Sequence, residues 1–337
     1  MSVIVTRSKR STTLVVLLLG ILLTPVSLFG ASYKYIRLGQ KEDKQSPTQA
    51  GIAMLGGGED LDDAFRWMCA KAGGGDFLIL RARGSDDYNP YVNQLCHVNS
   101  VATLIIPNRK AAQDPAVADI IRHAEAVFIA GGDQSRYIKF WRGTPVEHAM
   151  NANIADGKPI GGTSAGLAVL GEFTYASFYD STASKDALCN PYYKGVTLTR
   201  DFLKVPHLQD VITDSHFAKR DRMGRTLVFM ARLMEDGWSK SPRDIAIDER
   251  SGVLVEADGK AIVIGTGRGA YFLSTTQAPD VCRKKSPLTF HAVAAYRVPT
   301  GAHFDLTSWT GDGGEAYGLS VDQGAVRSTK ADATMLY

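Results

Sequence analysis

The 337-residue sequence has little cysteine, little net charge and few long apolar runs. Its four cysteines have spacings that match no zinc-binding pattern, so we expect no metal site. The formal net charge is only +3 and no basic stripe is interleaved with aromatic residues, which argues against a nucleic-acid partner. What the chain does contain is 45% hydrophobic residues, which is enough for one large core.

The first 31 residues have the organisation of a secretory signal peptide. A basic stretch at 7–10 precedes a short apolar run at 14–23, and small, turn-prone residues follow. The alternative is an uncleaved membrane anchor, although the apolar run is short for a span of about 20 residues. Both interpretations place the rest of the chain outside the cytoplasm, secreted or periplasmic. There the cysteines permit one or two disulfides, whose pairing the sequence leaves open.

Residues 32–50 are polar and are predicted to form a linker, followed by a single catalytic domain over 51–337. From residue 51 onward, strand-like apolar runs alternate with segments of helical periodicity. This alternation predicts an α/β fold with a mostly parallel sheet. Several strands end in glycines, as expected at the carboxyl edge where sites collect. The predicted strands are 51–55, 76–82, 101–107, 126–130 and 159–161, and the helices 61–72, 115–123, 136–142 and 146–156.

The C-terminal part has short strand-like runs separated by turn signals. We expect them to be antiparallel strands that extend the same sheet. The runs are 245–248, 252–256, 261–265, 270–272, 290–297 and 302–306.

The sharpest chemical signal is the pentapeptide Gly-Thr-Ser-Ala-Gly at 162–166, between a predicted strand and a predicted helical run over 167–173. In that context G-x-S-x-G is a nucleophile elbow, with Ser164 lifted clear of the sheet. The N–H of Ala165 and the positive helix N-terminus would then favour an oxyanion. The alternative is a glycine-rich turn without chemistry.

A serine nucleophile needs a base, and His216 is the best placed of the seven histidines. It follows a strand-like run, and Asp214 is a possible cap for the helix that then begins. A histidine at one strand end can reach a serine at a neighbouring strand end. His207 is the main competitor.

Two further glycine turns end apolar strands. At 131–134 the residues are Gly-Gly-Asp-Gln, where Gly132 would complete an oxyanion hole and Gln134 would bind a substrate amide. The alternative is a plain strand-to-helix turn with Asp133 as N-cap. Glycines 56–58 are not a P-loop, because no Gly-Lys-Ser/Thr follows. Their backbone is expected to line the same cleft.

Three arginines follow His216 at positions 220, 222 and 225. A solvated helix face is the plain explanation. Beside a catalytic histidine, guanidinium groups also hold carboxylates in bidentate fashion.

In their order, these motifs resemble those of the cyanophycinases of peptidase family S51, over roughly residues 51–306. The resemblance implies a flavodoxin-like fold of the class I glutamine-amidotransferase type and serine hydrolysis without metal or cofactor. It implies Ser164 as nucleophile and His216 as base, and it permits a homodimer. The substrate-binding residues that it implies are Gln134, Asp214, Ser215, Arg220, Arg222 and Arg225.

The chain departs from the family pattern at Ser215, where cyanophycinases tend to carry a substrate-binding glutamine. The acidic member of the triad is expected fifteen to twenty residues beyond the serine, where Asp180 is the available carboxylate.

The predicted activity is cleavage of cyanophycin, an arginyl-decorated polyaspartate, to β-aspartyl-arginine. Arginines 220, 222 and 225 would hold substrate carboxylates, and an acidic group such as Asp214 would take the guanidinium. One alternative is an exported aspartyl dipeptidase of the same family, which needs a free peptide terminus. The other is a catalytically silent binding protein on this fold.

Overall fold

The computed structural model describes residues 32–337. The predicted signal segment 1–31 lies outside the described residues. In chain order the strands are β1 (Lys34–Gly39), β2 (Gly51–Leu55), β3 (Asp76–Arg81), β4 (Ser100–Ile105), β5 (Ala126–Ile129), β6 (Ile160–Thr163), β7 (Phe173–Tyr175), β8 (Leu198–Arg200), β9 (Val211–Asp214), β10 (Arg243–Ile247), β11 (Ser251–Glu256), β12 (Lys260–Gly265), β13 (Ala270–Ser274), β14 (Phe290–Val298), β15 (His303–Asp305), β16 (Thr310–Asp312), β17 (Glu315–Asp322) and β18 (Ala325–Ser328). The α-helices are α1 (Asp62–Lys71), α2 (Tyr88–Leu95), α3 (Arg109–Ala112), α4 (Pro115–His123), α5 (Gln134–Trp141), α6 (Pro145–Ala155), α7 (Ser184–Cys189) and α8 (Met223–Glu235).

The first sheet has the strand order β1-β4-β3-β5-β6-β2-β11-β12-β15-β16. Its centre, from β4 to β2, is parallel. The order β4-β3-β5-β6 is that of the first four strands in flavodoxin-like folds, and β2 takes the fifth position. These strands are almost entirely buried, as parallel strands covered on both faces must be. The predicted α/β fold with a mostly parallel centre is therefore confirmed.

The second sheet has the order β18-β17-β14-β13-β10-β9-β7-β8. The prediction that all C-terminal strands extend one sheet is wrong, because they divide between the two. Strands β11, β12 and β15 extend the first sheet, whereas β10, β13 and β14 belong to the second. Moreover, β10 runs parallel to β9. Turn signals mark where short strands begin and end, but they carry no information on which edge each strand joins.

The linker prediction is wrong for residues 34–39. They form β1, which pairs antiparallel with β4 at the edge of the first sheet. Arg37 anchors the strand by donating to both carboxylate oxygens of Asp76, at 3.0 and 3.1 Å. An edge strand can carry many exposed polar side chains, so its composition is easily taken for that of a linker. The assignment of 51–337 to a single domain stays a prediction.

The two sheets share one apolar core. Its largest cluster combines Leu78 and Ile129 of the first sheet with Ile245 and Phe272 of the second. A second cluster combines Leu227 of α8 with residues of β10 and β13, so that α8 covers the second sheet. This shared packing fixes the carboxyl ends of β6, β9 and β10 relative to one another.

Cys69 and Cys96 form a disulfide that ties α1 to the end of α2. Cys189 and Cys282 are free thiols. Within residues 32–337, no helix has the length and apolar character needed to cross a membrane.

Candidate active site

Ser164 directly follows β6 at the carboxyl edge of the parallel strands. Its φ is +53°, a left-handed conformation that is uncommon for residues other than glycine. Two glycines allow this turn by close approach. A Cβ on Gly162 would lie 2.5 Å from the carbonyl carbon of Gly166, and one on Gly166 would lie 1.9 Å from the carbonyl oxygen of Ile129. The tight, glycine-flanked turn expected at the serine is thus present.

The helix expected over 167–173 is not formed. A single 3₁₀ turn, Leu167–Val169, follows the serine, and the chain then enters β7 of the second sheet. The apolar run is mostly buried because it passes from one sheet to the other, and this burial explains its helix-like pattern. With no α-helix at Ser164, a helix dipole is not available to an oxyanion, and only individual N–H groups remain.

His216 lies in the turn after β9, and its ring meets the serine. Ser164 Oγ and His216 Nε2 are 2.7 Å apart. The nucleophile and base indicated by the sequence therefore come from different sheets and stand at hydrogen-bond distance. The competing His207 lies elsewhere, with its Nε2 3.1 Å from the Ala257 carbonyl oxygen.

The first glycine run makes room for the histidine. His216 donates its backbone N–H to the Gly56 carbonyl at 2.8 Å. A Cβ on Gly57, whose φ is +93°, would lie 2.5 Å from His216 Cε1. Only glycine fits at this position. Residues 56 and 57 contact His216 but are not among the residues that line the cavity at Ser164, so the expectation that this run lines the cleft stays a prediction.

The carboxylate beside the histidine is Glu249, not Asp180. Glu249 Oε1 lies 2.7 Å from His216 Nδ1, on the side of the ring opposite Ser164. Strands β9 and β10 are parallel neighbours with Asp214 opposite Ala246, so the residues that follow them meet at the same edge. Asp180 lies on the exposed loop after β7.

Sequence reasoning missed this role of Glu249 because the acidic residue was sought fifteen to twenty residues beyond Ser164 and because β10 was expected to be antiparallel. An antiparallel strand would have placed its carboxyl end at the far edge of the sheet. The available signal was a carboxylate two residues after a buried strand.

Burial and neighbouring charges shift the pKa values of His216 and Glu249. Burial lowers the pKa of His216 below its ordinary value, and the charges of Arg220 and Arg222 act in the same direction, while the hydrogen bond to Glu249 opposes them. Burial alone would raise the pKa of Glu249, but the hydrogen bond and charge of His216, with the charge of Arg220, lower it. The ring is therefore held neutral at neutral pH, beside an ionised carboxylate.

Two backbone N–H groups beside Ser164 are free to bind an oxyanion. Ala165 and Gly132 line the same cavity as the serine, and neither N–H donates to an acceptor within residues 32–337. The turn at Gly132 is fixed by Tyr137, whose hydroxyl donates to the Ala130 carbonyl at 2.8 Å. Preorganised donors of this kind stabilise tetrahedral intermediates.

Asp133 and Gln134 of the same turn have the two roles that the sequence offered, a helix cap and part of the cavity wall. The Asp133 carboxylate accepts the Ser135 N–H at 2.9 Å and so caps α5. Gln134 lines the cavity, and its Nε2 donates to the Tyr175 carbonyl at 3.4 Å. The turn thus starts a helix and also contributes to the cavity wall.

Asp214 neither caps a helix nor stays free for a substrate guanidinium. It ends β9, and α8 begins only at Met223. Its Oδ2 accepts from Arg225 Nε at 2.8 Å, and its Oδ1 accepts from Arg225 Nη2 and from Arg222 Nη1. The Ser215 N–H and the Thr226 hydroxyl add two more donors. We call Asp214, Arg222 and Arg225 the arginine cluster.

The charges in the arginine cluster are strongly coupled. Burial would raise the pKa of Asp214, but Arg225 and Arg222 lower it below its ordinary value. Burial lowers the pKa of Arg222 to about 10. Because two guanidinium groups face one carboxylate, a net positive charge remains at the cavity wall.

The cavity at Ser164 measures about 280 Å³. All the site residues predicted from the sequence line it, including Asp180, but Glu249 does not and contacts the ring from behind. Arg220 is the most exposed of the three arginines that follow His216, with its side chain 53% exposed and its Nε 3.8 Å from Glu249 Oε1. No group of three or more metal-ligating side chains occurs in the described part of the chain.

Comparison with known proteins shows the family of this chain. The family model of peptidase family S51 matches residues 52–259, which is more than half of the chain. The chain belongs to peptidase family S51. It is a serine-type peptidase, and the matched range contains Ser164, His216 and Glu249.

Curated relatives named cyanophycinase are similar to this chain. That of Synechococcus elongatus is 28% identical over 239 residues, 67% of this chain and 69% of the relative. That of Trichormus variabilis is 28% identical over 211 residues, 61% and 65% of the two chains. That of Geminocystis herdmanii is 26% identical over 233 residues, 65% and 79%. A solved peptidase from an acI-B1 actinobacterium has a TM-score of 0.49 at 16% identity, over 77% of this chain and 98% of its own.

Proposed function

We propose that this protein is an exported cyanophycinase, which cleaves cyanophycin (multi-L-arginyl-poly-L-aspartate) to β-aspartyl-arginine. The observation that carries the proposal is the line from Ser164 through His216 to Glu249. Its two contacts are both 2.7 Å long and lie at a polar cavity in a member of this peptidase family. We call these three residues the catalytic line.

The mechanism that we propose is acyl transfer. Neutral His216 takes the Ser164 proton as Oγ attacks an aspartyl carbonyl, and Glu249 holds the Nδ1–H and stabilises the imidazolium. The N–H groups of Ala165 and Gly132 receive the oxyanion. His216 then protonates the leaving amine, and water, deprotonated by the same ring, releases the acyl group from the serine.

The charges around the cavity suit a substrate that carries both signs. Asp214 is saturated by its arginines, so it does not serve the substrate guanidinium. Asp180 lines the cavity, and among residues 32–337 its carboxylate has no ion-pair or hydrogen-bond partner. Its backbone carbonyl accepts from the Tyr175 hydroxyl at 3.5 Å. We assign the guanidinium to Asp180 and a substrate carboxylate to Arg220, with the net positive charge of the arginine cluster in support.

Export rests on the sequence of residues 1–31. The disulfide between Cys69 and Cys96 supports it, because such bridges persist mainly in oxidising compartments. Mass spectrometry of protein recovered from the culture medium or periplasm tests export, and a new N-terminus near residue 31 is expected. A homodimer stays a prediction.

The test of function uses purified protein lacking residues 1–31 and insoluble cyanophycin. Clearing of the suspension and release of β-aspartyl-arginine, read by mass spectrometry, are expected. Ser164→Ala is the control, and its turnover should fall by about 10⁴-fold or more. A folded protein that leaves cyanophycin intact but cleaves short aspartyl peptides would instead be the aspartyl dipeptidase of the same family.

A further inference from the structure

We propose that Tyr337 is a positioning residue that holds the catalytic histidine turn, 216–222, in register with Ser164. The proposal rests on the proposed function, since it assigns His216 the role of base. Tyr337 lies 78 positions beyond the end of the family match at residue 259, so this support comes from a part of the chain that the family pattern does not include.

Tyr337 closes a hydrogen-bonded chain at the end of the turn. Its hydroxyl accepts the Met223 N–H at 2.8 Å and donates to Asp221 Oδ1 at 2.9 Å. Met223 is the first residue of α8, and Asp221 has a φ of +48°. One hydroxyl thus connects the strained end of the turn to the start of the helix.

The ring of Tyr337 packs against the residue that follows the histidine. It meets Phe217, the residue after His216, edge-on with centroids 5.6 Å apart, and Tyr271 of β13 at 5.9 Å. Phe217 is completely buried. Edge-to-face contacts of this kind are directional, so they restrict rotation of the turn as well as burying it.

Other contacts hold the turn along its length, and the Tyr337 hydroxyl adds two hydrogen bonds at its end. The His216 N–H donates to the Gly56 carbonyl at 2.8 Å. The Lys219 N–H donates to Asp248 Oδ1 at 2.9 Å. At this end the Arg222 N–H also donates to the Phe217 carbonyl and Ser184 Oγ donates to the Asp221 carbonyl. Loss of the Tyr337 hydroxyl would therefore loosen the end of the turn without releasing it, and the histidine ring would tilt.

The test compares Tyr337→Phe with Tyr296→Phe in purified protein. Both changes remove a hydroxyl that accepts a backbone N–H, but Tyr296 bonds Gly314, away from the cavity. The readout is the rate at which a fluorophosphonate labels Ser164, which requires no cyanophycin. Because small displacements of catalytic groups slow a reaction strongly, we expect labelling to be about tenfold slower in Tyr337→Phe. The labelling rate of the control should stay within about twofold of the native rate.

A second pair of variants keeps the test independent of folding defects at Tyr337. Asp221→Gly removes the carboxylate and tolerates the positive φ, and it should slow labelling in the same way. Asp221→Asn keeps an acceptor oxygen and should be labelled at the native rate. Combining Asp221→Gly with Tyr337→Phe should give less than the product of the two separate effects.

The pH dependence of labelling separates positioning from a general loss of stability. The groups that face His216 are Ser164, Glu249, Arg220 and Arg222. Burial lowers the pKa of His216, so a loosened, better hydrated turn should move the acidic midpoint upward in Tyr337→Phe. A purely structural role would leave the midpoint in place.

Native labelling rate and native midpoint in Tyr337→Phe would overturn the positioning role while leaving the proposed function intact. Absence of labelling in the native protein would overturn both. Slow labelling with a raised midpoint in Tyr337→Phe, together with slow labelling in Asp221→Gly but not in Asp221→Asn, supports the proposal.

Discussion

The catalytic line and the arginine cluster are neighbours that use their hydrogen bonds in opposite ways. Along the catalytic line each contact is a single hydrogen bond, and the side chains of His216 and Glu249 are 9% and 24% exposed. In the arginine cluster, Asp214 receives donors on both oxygens, and its side chain and that of Arg225 are 4% and 3% exposed. The first set can change protonation during a reaction, whereas the second is already saturated.

From this difference we infer that the catalytic line performs the chemistry and that the arginine cluster supports it structurally. Arg222 of the cluster also donates to the Ser215 carbonyl at 2.7 Å, immediately before His216. The arginine cluster therefore orients the backbone that leads to the base. We infer that changes in the cluster act mainly on stability and that changes in the catalytic line act mainly on rate.

The largest expected effect on stability comes from Asp214→Asn. The change leaves two buried guanidinium groups without their carboxylate, and breaking such an ion network costs about 3–5 kcal/mol. Urea unfolding of native and variant protein at pH 7 measures it. Asp63→Asn, on an exposed helix surface, is the matched control and should stay within about 0.5 kcal/mol.

The pH dependence of that difference has a definite sign. Because the folded-state pKa of Asp214 lies below its ordinary value, its stabilisation is present above the unfolded pKa and is lost as pH falls through the folded one. A difference between native and variant that grows on acidification would contradict the saturated pairing.

An intermediate effect is expected from Asp180→Asn. If Asp180 binds the guanidinium, the preference of kcat/KM for an arginyl over a neutral aspartyl substrate should fall about tenfold, which is the scale of one charge-assisted hydrogen bond. Kinetics with the two substrates measure it. Asp186→Asn, on α7, is the control; equal losses on both substrates in Asp180→Asn would argue against guanidinium recognition.

The smallest effect concerns the acidic limb of kcat/KM. The base must be neutral, and burial lowers the pKa of His216, so activity should persist as pH falls below the ordinary histidine value of about 6.5. The measurement is a pH profile of kcat/KM with a small soluble substrate. A midpoint above that value would show that the ring is hydrated or held charged.

Local chemistry was largely predictable from the sequence, whereas pairing across the sheets was not. The glycine-flanked turn at Ser164, the choice of His216 as its partner and the alternating elements of the first sheet follow from patterns within a few residues. The parallel pairing of β10 with β9 depends on tertiary contacts, and with it the position of Glu249. Short strands of either orientation share the same apolar runs.

The substrate residues show the same limit. Arg222, Arg225 and Asp214 were all expected at the cavity, and they do line it. Their mutual pairing was not foreseen, because a sequence gives the charges without their distances. The edge strand β1 was missed for a related reason: its partner β4 lies more than sixty residues away.

The most direct test of the catalytic line is the rate of fluorophosphonate labelling of Ser164 in Glu249→Gln, with Glu256→Gln as a control. Glu256 pairs with Lys71 and contacts neither Ser164 nor His216. Since the amide no longer holds the ring as the carboxylate does, labelling should slow by about 10²- to 10⁴-fold, with the free energy of unfolding within about 1 kcal/mol of native. Native labelling in Glu249→Gln would contradict the account, because the histidine would then act without the carboxylate that the structure places beside it.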